Sequence, residues 1–369
     1  MVAAALSGPP LPAPVDLSPA QLAGQRVAFA YEGFRPPRAL VRRIEQGRAA
    51  GVILFRRNIR SSAQLRQTMG GLQRAARRSA LELPLLVMVD QEGGRVRRLP
   101  GGPERSAAGV RSPRDALTDG RAAGRALRAG GVNVDLAPVA DVCRRGGALE
   151  RERRCYGRSP SAVTSRAGAF ARGLRQRGVA PALEHFPGFG AARVNTDFAP
   201  TTIRASRRRL RSFDGRPFAA LHRRASLVML STAVYPALSR RPAALSSAIA
   251  TGELRGRLGF RGVSVADALD TPALARHGGT GSVAVKAAGA GTDLVLFART
   301  FAAGDRAARA LERSLRSGRL RRDAFERSVG RVLTLRDRLR LAGGQISVRG
   351  DLTTTWVGNP PPRPSRQAF

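Results

Sequence analysis

Eight short apolar runs punctuate the chain: Val27–Tyr31, Gly51–Phe55, Leu85–Asp90, Val132–Val139, Val179–His185, Leu227–Tyr235, Gly262–Leu269 and Asp293–Ala298. Each is nearly continuous in apolar residues, which is the pattern of parallel strands covered on both faces. Between them the spacing changes to that of helices. Leu40, Val41 and Ile44 mark one face within Pro36–Ala49, and Ser61 with Gln64 reads as a capping box opening a helix through Arg78. Further helices are predicted at Arg114–Ala129, Ala162–Gln176, Arg204–Arg224, Ser246–Leu258, Ser282–Gly289, Ala302–Ser317 and Arg322–Leu341.

Strand and helix alternate eight times, which predicts an α/β chain closed into a single (β/α)8 TIM barrel. A doubly wound open sheet is the rival, but no Gly-rich phosphate fingerprint follows the first strand. The expected organisation is an N-terminal extension over 1–16, a barrel over 17–342 and a polar, Pro-bearing, disordered tail over 343–369. No internal repeat or second domain is visible.

The length of 369 residues suits this reading, since one such barrel takes roughly 250 residues and accommodates insertions. The formal net charge of +38 rests almost wholly on arginine, because Lys286 is the single lysine. Such charge suits a polyanion such as nucleic acid or an anionic cell-wall polymer. The arginines, however, are spread over many predicted helices and aromatics are only 5%. A solvated basic surface is therefore expected and no nucleic-acid partner, while association with an anionic cell-wall polymer stays open.

Cys143 and Cys155 are too few for a disulfide scaffold and match no zinc spacing. Two free thiols are expected, with one bridge across a short loop as the alternative in an exported protein. No apolar run reaches the roughly 18 residues of a membrane span. Met1–Pro14 is apolar and Pro-rich but lacks the basic start of a secretory signal. The expectation is a cytoplasmic monomer by default, with export left open.

In a TIM barrel the chemistry sits where strands end. The third run ends in Asp90-Gln91-Glu92-Gly93-Gly94-Arg95-Val96 and continues to Arg98; the fourth ends near Asp141. Arg154 follows in the next loop. The fifth run ends in Glu184-His185, with Asn195-Thr196-Asp197 in its loop. The sixth ends at Ser231-Thr232 and the seventh at Asp267. Carboxylates, arginines and a histidine thus converge on one rim, without a Cys/His cluster for a metal and without a cofactor motif. Paired carboxylates suit glycoside hydrolysis, and acids with arginine suit sugar hydroxyls.

Here a resemblance becomes specific. The runs PLLVMVDQEGGRVRRLP, VNVDLAPVADV, RCYGRSP, EHFPGFG, GFRGVSVADAL and AAGAGTDLVLFA resemble, in order and spacing, the blocks of glycoside hydrolase family 3 in its β-N-acetylglucosaminidase-like branch. The resemblance covers about Leu17 to Leu341. It implies a retaining, exo-acting β-glycosidase with a carbohydrate substrate such as peptidoglycan or amino-sugar fragments. Asp267 would be the nucleophile. Asp90, Arg98, Arg154 and His185 would bind the sugar.

Three departures accompany it. Glu184 stands where the family pattern has lysine, so a cation becomes an acid at a substrate-binding position. Asn195-Thr196-Asp197 stands where the branch has Asp-Ser-His, whose histidine is the acid/base. Phe189 and Thr232 replace two further histidines. In the active reading Asp197 becomes the general acid/base, its proton held by burial beside a second carboxylate, and Asn195 orients it. An anionic Asp197 would also repel phosphate as an acceptor, so hydrolysis is expected rather than phosphorolysis. In the alternative, the substitutions leave a catalytically impaired sugar- or cell-wall-binding barrel.

Overall fold

Each of the eight apolar runs contributes one strand to a single parallel sheet. The strands are β1 (Val27–Phe29), β2 (Gly51–Ile53), β3 (Leu86–Val89), β4 (Val134–Asp135), β5 (Ala180–Phe186), β6 (Leu227–Leu230), β7 (Val263–Ala266) and β8 (Val295–Leu296). The computed structural model describes residues 16–343. The expected tail beyond Gly343 and all of the expected extension except Asp16 lie outside the described residues. Sheet order runs β7-β6-β5-β4-β3-β2-β1-β8. A parallel bridge from Val265 to Leu294 closes the ring, reinforced by the Ala266 N–H donating to the Leu294 carbonyl at 2.9 Å.

Alternation along the strands separates two cores. Ala28, Ile53, Met88, Val134, Ala182, Met229, Val265 and Leu296 fill the barrel interior. Phe29, Val52, Val87, Leu183, Val228 and Phe297 point outward into the layer beneath the helices. Both faces are dry, which is why the runs read as continuous rather than alternating. The last helix, Arg322–Gly343, places Val332 and Leu335 against the interior set. Leu335 meets Ala180 and Val263 at the N-terminal end of the strands, so the functional rim is the opposite one.

Three expected elements are corrected. The run Leu227–Tyr235 is not one strand: β6 stops at Leu230, and Val234–Tyr235 pairs antiparallel with Ser239–Pro242. The Ser231 side chain causes the break by accepting from the Ala233 N–H at 3.0 Å. The helix expected over Arg204–Arg224 divides into Arg207–Arg209, a π-type turn at Leu210–Asp214, and Arg216–Leu221. There Asp214 is buried and held by Arg144 Nη2 at 2.9 Å from both oxygens, and Pro217 occupies the first turn, where its missing N–H costs nothing. The segment expected as a helix over Ser246–Leu258 is π-type at Ala248–Arg257. A short helix at Pro19–Gly24, capped by Ser18 and Gln21, had no counterpart among the expected elements.

The cysteines also differ from expectation. Cys143 and Cys155 are joined in a disulfide, their Cα atoms 5.9 Å apart. Neither Cys is free. The sequence places them twelve positions apart, but only the fold brings the two ends of this loop together beside the rim.

Candidate active site

The C-terminal ends of the strands enclose a pocket of about 290 Å³. Its lining includes Asp90, Arg98, Arg154, Glu184, His185, Asp197 and Asp267, so every residue the sequence nominated meets in one cavity. A larger cavity of about 950 Å³ lies at the opposite, N-terminal end of β5–β7. No carboxylate among the described residues lines it, so it lacks the acids that glycoside chemistry needs.

Asp90 leaves β3 as the chain folds into a ribbon, Gln91–Gly93 against Val96–Arg97. Gly93 and Gly94 turn it with φ of 109° and 57°; a Cβ at Gly93 would sit 2.2 Å from the Arg105 carbonyl oxygen. Buried Gln91 fastens the return, accepting from the Arg98 and Leu99 N–H groups at 3.0 Å. Arg98 is thereby brought back to Asp90, its Nη2 3.2 Å from Oδ2. One short motif thus supplies both an acceptor and its cation.

The disulfide-bridged loop supplies the second cation. Arg154 grips Glu92 through Nε at 3.1 and 3.0 Å and Nη2 at 2.8 Å. It also donates to Glu152 at 3.1 Å and lies 3.5 Å from Glu184 Oε1. Burial works against its charge, but Glu92 and Glu184 outweigh that and hold the guanidinium firmly protonated. Glu92 and Glu152 were not among the nominated residues. Their nearness to Asp90 and Arg154 in sequence was the available signal.

Glu184 and His185 lie near the end of β5, joined by a cis peptide, and both line the pocket. His185 Nδ1 lies 2.8 Å from Asp141 Oδ2, which also accepts from the His185 N–H at 3.0 Å. Asp141 is fully buried, a positioning residue that sequence reasoning noted only as a strand end. Burial alone would lower the imidazole pKa; Glu184 and Asp141 overcome it and raise it to about 10. Phe189 covers the ring at a centroid distance of 5.6 Å. Glu184 is 2% exposed, and burial pushes its carboxyl well above the usual range. Its Oε1 has no hydrogen-bond partner among the described residues, only the ion pair with Arg154.

Asp267 follows β7. Its Oδ2 accepts from Thr232 at 3.3 Å and its Oδ1 from the Ala268 N–H at 2.7 Å. The hydroxyl of Thr232, rather than a histidine, therefore supports this carboxylate. Asp197 sits at the mouth, on the loop after β5. The residue is exposed to solvent while lining the pocket. Burial first, and the Asp267 charge second, raise its pKa to about 6. Asn195 does not touch the Asp197 carboxyl as expected. Its Oδ1 accepts the Asp197 backbone N–H at 3.0 Å, while its Nδ2 is 3.3 Å from Glu152. Among the described residues no group of three or more His, Cys, Asp or Glu is arranged to hold a metal ion.

This is a glycosidase type of site: two carboxyl groups in one pocket, Asp267 hydrogen-bonded to Thr232 and the Ala268 N–H and Asp197 with a raised pKa, among further acids and arginines. The sequence profile of the Glycosyl hydrolase family 3 N terminal domain matches residues 15–335, and the chain belongs to that family. It is 37% identical to an uncharacterized secreted glycosyl hydrolase of Arthroderma benhamiae over 86% of this chain and 93% of that one. It is 35% identical to a beta-hexosaminidase of Xylella fastidiosa M23 over 69% of this chain and 77% of that one. A solved family 3 beta-N-acetylglucosaminidase from Paenibacillus sp. FPU-7 superposes with a TM-score of 0.84 at 33% identity, covering 90% of this chain. The present chain spans 65% of that structure's length.

Proposed function

We propose that this glycoside hydrolase is a retaining, exo-acting β-N-acetylhexosaminidase. The observation that carries the proposal is the pairing of Asp197 with Asp267 across one small pocket, with the pKa of Asp197 raised to about 6. Asp267 attacks the anomeric carbon while protonated Asp197 donates its proton to the departing glycosidic oxygen. A glycosyl ester on Asp267 results. Ester formation removes the Asp267 charge, and with it the larger of the two neighbouring charges that raise the Asp197 pKa, the other being Asp90. Asp197 thus becomes a better anion when it must take a proton from water. Water then attacks the anomeric carbon and frees Asp267.

Asp90 with Arg98, and Arg154 with Glu184 and His185, bind the sugar hydroxyls. A pocket of about 290 Å³ suits one terminal amino-sugar ring rather than the middle of a chain. The resemblance of the chain to hexosaminidases supports the N-acetylated sugar. Amino-sugar fragments of cell walls are the proposed natural source, with the monomer as the working unit and its basic surface drawn to anionic cell-wall polymers.

The test is p-nitrophenol release from a panel of β-linked p-nitrophenyl sugars. Wild type should turn over the N-acetylglucosaminide, and Asp267→Asn should abolish it. Asp197→Ala should regain turnover with azide and form a glycosyl azide. A folded wild type that turns over no sugar overturns the proposal and leaves a sugar-binding barrel.

A further inference from the structure

Among the described residues, three large hydrophobic side chains are exposed: Phe34 at 42%, Val194 at 44% and Phe198 at 73%. Single exposed apolar groups are ordinary on protein surfaces. Phe198 differs in place: it follows Asp197 directly and lines the mouth of the active-site pocket. Its exposure belongs to a fastened loop. The Phe198 N–H donates to the Asn195 carbonyl at 3.0 Å, and the Thr201 hydroxyl donates to the Val194 carbonyl at 2.8 Å. Asn195 reaches Glu152, and Thr196 is buried. The ring is thus presented to water by a loop that is tied down at both ends.

The chemistry fixes what comes next to it. The proton donor must touch the glycosidic oxygen, and that oxygen joins the sugar held in the pocket to the leaving group. Whatever leaves therefore lies on the solvent side of Asp197, beside Phe198. An aromatic face is electron-rich and attracts the weakly positive C–H groups of a flat apolar partner. A β-linked pyranose has such faces, whereas a phosphate or a carboxylate has none.

We infer that Phe198 is the platform of a leaving-group subsite for a second pyranose ring, so that the enzyme is adapted to β-linked glycans of at least two sugars. The inference rests on the proposed role of Asp197. It goes beyond that role by naming the leaving group and the side chain that selects it.

The experiment compares Phe198→Ala, Phe198→Trp and wild type on two substrates: diacetylchitobiose and N-acetylglucosaminyl fluoride, whose leaving group has no ring. Phe198→Ala should lower kcat/KM on the disaccharide about ten-fold, mainly through KM, equivalent to about 1.4 kcal/mol. On the fluoride it should change kcat/KM far less, and Phe198→Trp should recover the disaccharide value. The pH profile should not move, because Phe198 carries no proton. Equal losses on both substrates, or none on the disaccharide, overturn the subsite while leaving the glycosidase intact. A wild type inert on both overturns the glycosidase reading and the subsite with it.

Discussion

Asp197 shows how much one side chain depends on its neighbours. Burial and the charge of Asp267 raise its pKa to about 6. In the proposed mechanism the first half-reaction needs Asp197 protonated, and protonated groups are lost as pH rises through their pKa. The expected kcat/KM of wild type therefore falls above about pH 6, the value to which Asp197 is raised. Asp197→Ala should lower turnover of poor leaving groups about 10²–10⁴-fold. On a nitrophenyl sugar, which needs little protonation, the same variant should lose the limb near pH 6. A limb that persists in Asp197→Ala would assign it to another group. Of the residues around Asp197, the sequence revealed those at strand ends, Asp90, Glu184, His185 and Asp267, and two arginines of the following loops, Arg98 and Arg154. Glu92, Glu152 and Asp141 escaped because they act through partners. Glu92 matters by holding Arg154 across 62 positions, and Asp141 by holding His185 across 44.

The elements beneath the rim are held by close packing. The helices Pro113–Ala129 and Pro160–Arg175 approach so tightly that a Cβ at Gly120 would lie 2.2 Å from the Phe170 carbonyl oxygen, and one at Gly173 would lie 2.6 Å from that of Leu117. Alanine would gain about 1 kcal/mol in helix propensity over glycine. Backbone cannot yield as a flexible side chain can, so the clash should win. Gly120→Ala should be less stable than wild type by about 1–3 kcal/mol in denaturant unfolding. Equal or greater stability would show that the helices can separate freely. This contact was invisible in the sequence, where each glycine merely weakens a predicted helix. The strands were legible for the opposite reason: burial on both faces leaves a continuous apolar run that needs no knowledge of the partner. The helix over Arg204–Arg224 was misread because its apolar spacing is helical, while the Arg144–Asp214 pair that bends it comes from another part of the chain.

The molecule as a whole carries +38, yet the active site is the reverse. Six carboxyl groups (Asp90, Glu92, Glu152, Glu184, Asp197 and Asp267) face three cations (Arg98, Arg154 and His185) in its lining. Some of the arginine excess is structural. Arg336 is buried and donates to the carbonyls of Pro84 and Leu83, and Arg26 donates to those of Asp293 and Thr292. Burial lowers the pKa of Arg336 to about 9 and that of Arg26 to about 10. The acidic pocket bears on the acceptor. At about 4 Å and an effective dielectric of about 20, an ionised Asp197 repels a phosphate charge by roughly 4 kcal/mol. Water should therefore be the sole acceptor, and phosphate added to a turnover assay should yield free sugar. Glycosyl phosphate in the product mixture would contradict this. The overall basicity of the chain therefore does not extend into the pocket.

The alternation of strand and helix, the barrel it predicts and the strand-end positions of the nominated residues were all set by the sequence alone. They depend on spacing between near neighbours, which a chain carries whether folded or not. Tertiary structure alone decided the Cys143–Cys155 bond, the Arg154–Glu92 and His185–Asp141 pairs, the raised pKa of Asp197 and the acidic sign of the pocket. Each joins groups far apart in sequence, and a charge acquires its strength only when the fold fixes its distance from other charges and from water.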